Sequence, residues 1–167
     1  MGLDNRVNCC PDGLVTDRRL RIKVLDCTIR DGGICNQWAF DHGLVRAVFE
    51  ALAASGIDYM EVGYKTQDGI FDRNAVGPWR FCEEADLRQV VDAGPLKIAT
   101  MVDIGKVTHA EIPPAADSAV DVIRIATYAH QIDDALRLLE HCLEQGYETF
   151  MNVMAVSTLA PDDVDEF

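Results

Sequence analysis

Eight consecutive residues, Asp26-Cys27-Thr28-Ile29-Arg30-Asp31-Gly32-Gly33, put an arginine, carboxylates and two flexible glycines directly after the apolar run Ile22-Lys23-Val24-Leu25. Charged groups at the C-terminal end of a buried parallel strand face the ligand in α/β architectures. A permanently charged, multi-donor guanidinium suits stabilisation of a developing oxyanion, and a neighbouring carboxylate suits a hard divalent cation. The same string also fits an ordinary strand exit closed by a surface ion pair.

These residues need a scaffold, and the rest of the chain supplies its rhythm. Apolar runs of strand length at about 22–28, 58–63, 97–103, 120–126 and 148–155 alternate with segments of helical periodicity, the βαβ pattern of an α/β fold. One helix is expected from an Asp41 N-cap to Gly56, burying Leu44, Val45, Val48, Phe49 and Leu52. Another, at about 130–145, is expected to bury Ile132, Ala135, Leu136, Leu139 and Leu143 and to end at Gly146. Pro113-Pro114 permits only short or broken helix between the third and fourth strands. The stretch from Tyr64 to Cys82 is long for a βα loop, so Lys65, Asp72, Arg73, Trp79 and Arg80 could contact substrate or close over it, or form a subunit contact. Asp162 to Glu166 reads as the acidic first turn of a further helix.

The chain has 167 residues, 49% hydrophobic and 26% charged, with a formal net charge of -13. That balance fits a globular domain and argues against nucleic-acid binding or docking on an anionic membrane. Residues 1 to 20 read as a polar lead-in, and residues 21 to 167 as a catalytic domain. Six cysteines at 9, 10, 27, 35, 82 and 142 lack zinc spacing, and with no secretory h-region or span-length apolar run they fit a reduced, cytoplasmic protein. Cys27 and Cys35 flank the motif without a paired histidine to activate a thiolate.

The motif closely resembles the Asp-x-Thr-Leu-Arg-Asp-Gly signature of the DRE-TIM metallolyases, which include 4-hydroxy-2-oxovalerate aldolases, HMG-CoA lyase and isopropylmalate, citramalate and homocitrate synthases. Ile57 to Tyr64, with Glu61-Val62-Gly63, resembles that family's second strand, and Val122-Ile123-Arg124-Ile125-Ala126-Thr127 resembles the fourth in its aldolase version. The resemblance implies a TIM-type (β/α)8 barrel. A whole barrel typically needs about 250 residues, so the N-terminal part, about five β/α units, is expected here. Five parallel strands alone would leave open edges, which a homo-oligomer or a partner chain completing the barrel would cover.

The resemblance also implies the chemistry. Arg30 matches the catalytic arginine that stabilises an enolate, and Asp31 matches the carboxylate that binds Mg2+ or Mn2+. Glu61 aligns with an acid that orients substrate or metal-bound water. Arg124 could receive a substrate carboxylate, and Thr127 and Asn152 also lie near strand ends. Each arginine and Glu61 would equally serve as ion-pair partners, Arg30 with Asp26 or Glu61. Two features depart from the family. No His-x-His occurs to complete the metal shell, His42, His109, His130 and His141 reading as surface or packing residues. Gly33 and Ile34 stand where aldolases carry a histidine base, leaving Asn36, Gln37 or Tyr128 to assist proton transfer. The implied activity is a metal-dependent carbon-carbon lyase or aldolase acting on a 2-oxo acid such as pyruvate. A Claisen-type acyl-CoA/2-oxo acid synthase, and a catalytically silent structural subunit, are the alternatives.

Overall fold

The computed structural model describes residues 22–160, so the expected lead-in at 1–20 and the acidic turn at 162–166 lie outside the described residues. Five strands form: β1 (Leu25–Asp26), β2 (Tyr59–Tyr64), β3 (Lys97–Asp103), β4 (Val122–Thr127) and β5 (Glu148–Val153). All neighbouring pairs are parallel, and the spatial order β1-β2-β3-β4-β5 is the chain order. Strands laid down one after another on the same side, with helices between them, make a partial TIM-type (β/α) barrel. The helices are α1 (Thr28–Asn36), α2 (His42–Ser55), α3 (Glu84–Val90) and α4 (Ile132–Glu144). None of the described helices is long and apolar enough to cross a membrane.

Strand alternation divides the side chains between two faces. Met60, Val62, Ile98, Val102, Ile123 and Ile125 point toward the helices, where they meet Val45, Phe49, Leu87, Val90, Ala135 and Leu138. Tyr59, Ala99 and Val122 share the opposite, concave face with Leu25. Glu61 and Arg124 fall on that second face, because each lies two residues from one of its members.

Local signals explain where the helices start, stop and turn. Asp41 caps α2 by accepting from the Leu44 N–H at 2.9 Å, and Gly56 ends it in the left-handed conformation. Val45 and Phe49 are buried as expected, whereas Leu44 is exposed. The expected face of α4 requires correction: Leu136 and Leu143 are exposed, and Ala135, Leu138 and Cys142 are buried. Both stripes satisfy a 3.6-residue period, and the smaller Ala135 and Cys142 let α4 approach β4 and β5 closely. The Pro113-Pro114 connection carries only three-residue turns of 3-10 helix, at His109–Glu111 and Ala115–Asp117.

Candidate active site

The first-strand motif is helical, which corrects its reading as a strand exit with flexible glycines. β1 ends at Asp26, whose carboxylate accepts from the Thr28 N–H at 3.0 Å and the Thr28 hydroxyl at 2.8 Å, starting α1 at once. Arg30, Asp31, Gly32 and Gly33 all lie within α1. Two glycines inside a helix lower its stability by about 1 kcal/mol each relative to alanine, and packing explains their presence. A Cβ on Gly33 would stand 1.9 Å from Trp38 Cδ1, and one on Gly32 would stand 3.3 Å from the Phe40 ring.

From α1, Arg30 reaches the concave face and donates through Nε to Glu61 Oε2 at 2.6 Å. Arg124 arrives from β4 and donates through Nη1 to both Glu61 oxygens at 2.8 Å. β3 intervenes between β2 and β4, a gap of about 10 Å, and only long side chains meeting over the small Ala99 can close it. Glu61 is fully buried, and both arginines retain 15% side-chain exposure. The backbone supports the junction, since the β2–β3 register shifts between Glu61 and Gly63. Gly63 admits the Trp79 carbonyl where a Cβ would clash at 1.9 Å.

The electrostatics of the cluster are cooperative. Arg30 Nη1 also pairs with Asp31 at 2.5 Å. Burial works against the Arg30 charge, but the Glu61 carboxylate, by attraction and hydrogen bonding, with Asp31 adding to it, raises its pKa further above the usual range. Cys27 Sγ lies 3.4 Å from Glu61 Oε2 and 3.8 Å from Arg124 Nη1. Burial and then Glu61 push its thiol up, with Arg30 opposing, so the neutral form is favoured.

Of the residues singled out from sequence, Arg30, Asp31, Glu61 and Arg124 come together. Asn152 lines a cavity of about 310 Å³ with Arg124, Tyr59, Leu25, Lys23 and Phe150. Thr127 does not join them: it is buried, shares the strand face of Ile123 and Ile125, and donates to the Tyr128 carbonyl at 3.1 Å. Tyr128 is exposed past the end of β4, its ring stacked on His130 at 5.8 Å. Asp26 pairs with Thr28, not Arg30.

The long β2–α3 loop is tied down both within itself and to neighbouring elements. Arg73 bonds Asp68 and Glu83, Lys65 lies 3.7 Å from Glu83, and Asp72 accepts from the Asn74 N–H at 2.9 Å. Trp79 is core, its indole donating to the Phe40 carbonyl at 2.9 Å. Arg80, 4% exposed, sits 3.9 Å from the Tyr64 ring, 4.3 Å from Phe71 and 4.8 Å from Trp38. His42 pairs with Asp86 at 2.8 Å, and His109 stacks on His141 at 4.3 Å. Trp38 escaped the sequence reading; the double glycine was its only signal.

Asp31 is the carboxylate the motif offers a cation, and its side chain is 56% exposed. No group of three or more His, Cys, Asp or Glu side chains gathers among the described residues. One carboxylate engaged by an arginine does not amount to a divalent-metal shell, so these residues alone do not fit the ion.

No protein-family model matches the chain. It is 27% identical over 145 residues to 4-hydroxy-2-oxovalerate aldolase 6 of Rhodococcus jostii, covering 86% of this chain and 40% of that protein. It is 28% identical over 147 residues to the 4-hydroxy-2-oxovalerate aldolase of Burkholderia thailandensis, covering 86% and 41%. The crystal structure of the N-terminal domain of a candidate aldolase from Bacteroides vulgatus superposes with a TM-score of 0.66 at 30% identity, covering 82% of this chain and 46% of that one. The chain thus spans about two fifths of the length of these curated relatives. Across its five parallel strands it is similar to these aldolases in sequence and fold, in keeping with the DRE-TIM resemblance of its first-strand motif.

Proposed function

We propose that residues 21–167 are the N-terminal portion of a carbon-carbon lyase or aldolase that handles a 2-oxo acid through an enolate. The observation that carries this reading is the convergence of two guanidiniums, from α1 and β4, on the buried Glu61. Each guanidinium has five N–H groups, and these contacts engage Nε and Nη1 of Arg30 and Nη1 of Arg124. Arg124, with Asn152 beside it, would receive the substrate carboxylate, and Arg30 would hold the oxygen that gains charge as the enolate forms. Glu61 sets the arginines' directions before substrate arrives. Tyr128, exposed past the end of β4, would be the group left for proton transfer, whereas Thr127, buried on the helix-facing side, would serve the strand rather than the substrate.

Asp31 would give one ligand to Mg2+ or Mn2+, whose remaining donors would come from outside the described residues. A homo-oligomer or a partner chain completing the barrel is the corresponding assembly, and the cytoplasm the corresponding compartment. One observation favours a second reading, a catalytically silent structural subunit: Glu61 already pairs with both arginines.

Exchange of pyruvate methyl protons with D2O, followed by NMR in the presence of Mg2+, separates the two. Exchange in the wild-type protein that falls by about 10²-fold or more in Arg30→Ala supports enolate chemistry, the loss being that expected for removing one oxyanion donor. Absence of exchange in the wild-type protein favours the structural subunit.

A further inference from the structure

Gln37 and Trp38 are consecutive non-glycine residues in the left-handed region, with φ of 58° each. Such a pair persists only where its surroundings over-determine it, and the surroundings of Trp38 do so from three sides. Its indole lies flush on α1 at Gly33, where no side chain would fit, and Nε1–H donates to the Arg30 carbonyl at 2.9 Å. On the far side, Gly77 donates its N–H to the Gln37 carbonyl at 2.7 Å, and a Cβ there would meet the Trp38 carbonyl at 2.1 Å. Across the ring, Tyr64 at the end of β2 packs edge-on at 5.5 Å, and the buried Arg80 braces both aromatics while pairing with Asp103 at the end of β3 at 3.3 Å.

We propose that Trp38 is a positioning residue for Arg30: wedged on Gly33 and bonded to the Arg30 carbonyl, it fixes the turn of α1 that aims the guanidinium at Glu61. α1 follows a two-residue strand, so β1 gives this turn little purchase. Trp38 ties it instead to β2, to β3 and to the 65–82 loop. Gly33 of the motif is thereby explained as a seat for the indole, and Gly32 as room for the Phe40 ring. A catalytic consequence rests on Arg30 acting as proposed above, whereas the positioning itself does not.

The test is solvent exchange of the Arg30 Nε–H, read by ¹⁵N NMR on the full chain, in Trp38→Phe and Trp79→Phe. Trp79→Phe also removes an indole-to-carbonyl bond, but one made to Phe40. Exchange at Arg30 faster by about fivefold in Trp38→Phe, the factor expected for one lost hydrogen bond, and unchanged in Trp79→Phe, supports the proposal. Equal exchange in wild type and Trp38→Phe, or equal acceleration in both variants, overturns it. Should Trp38→Phe fail to fold, the wild-type protein still decides: an indole Nε1–H of Trp38 that exchanges as freely as an exposed indole is incompatible with the proposal. These signals are read whether or not pyruvate exchanges. If it does, Trp38→Phe lowers kcat with KM nearly unchanged.

Discussion

Glu61 is the residue whose removal would be felt most, because two guanidiniums are held against one buried carboxylate. Glu61→Ala leaves both without their shared partner, and breaking a buried pair in this way costs about 3–5 kcal/mol. The low end applies here, since the arginines keep some solvent access; a drop in the urea midpoint measures it. Glu61→Gln, whose amide oxygen still accepts, should lose less. Cys27 offers a second check. Burial and Glu61 raise its pKa, so its thiolate appears only above the pH at which an ordinary thiol ionises. Between pH 7 and 9 alkylation, followed by mass spectrometry, should label the exposed Cys35 well before Cys27. The identities of Arg30, Glu61 and Arg124 were legible from the motifs, although Arg30 lies in α1 and the other two sit inside β2 and β4 rather than at strand ends, and their mutual pairing was one option among several.

At the scale of elements, α1 depends on Gly33 and the concave face on a rung across strands. Gly33→Ala gains helix propensity but drives a Cβ into the Trp38 ring, and overpacking of this kind costs about 1–3 kcal/mol. Gly94, with open space around its Cβ position, should accept alanine with little change in the same unfolding experiment. The rung is Glu148, which accepts from Tyr59 Oη at 2.7 Å and pairs with Lys97 Nζ at 2.5 Å. Lys97, then Tyr59, lower the Glu148 pKa below the usual glutamate value. A depressed folded-state pKa means that this stabilisation is present above the unfolded value, about 4.3, and lost as pH falls through the folded one. The advantage of the wild type over Glu148→Gln in urea should therefore hold at pH 6 and shrink below about pH 4. α3, with seven residues, was too short to betray a period, and α4 carried two overlapping apolar stripes between which only packing chose.

At the scale of the whole molecule, β1 and β5 are the edges of the described sheet, and Val24, Phe150, Leu136 and Leu143 are exposed beside or between them. Open parallel edges with apolar neighbours favour association. The 18.5 kDa chain should sediment as a dimer or larger, and Phe150→Glu should shift it toward monomer.

The β/α order followed from strand-length apolar runs, local patterns that survive without knowledge of neighbours, whereas the partial barrel and the four charged residues of the cluster followed from the resemblance of three segments to the DRE-TIM pattern. Three things were decided only in three dimensions. The motif became a helix as Asp26 held the N–H and hydroxyl of its first residue, Thr28, and Trp38 and Phe40 seated its glycines. Arg30 and Arg124 met on one carboxylate because Ala99 left space across β3. Thr127 and Tyr128 fell outside that cluster because alternation and the end of β4 turned them elsewhere. Each depends on contacts between segments far apart in the chain, which periodicity and composition do not encode.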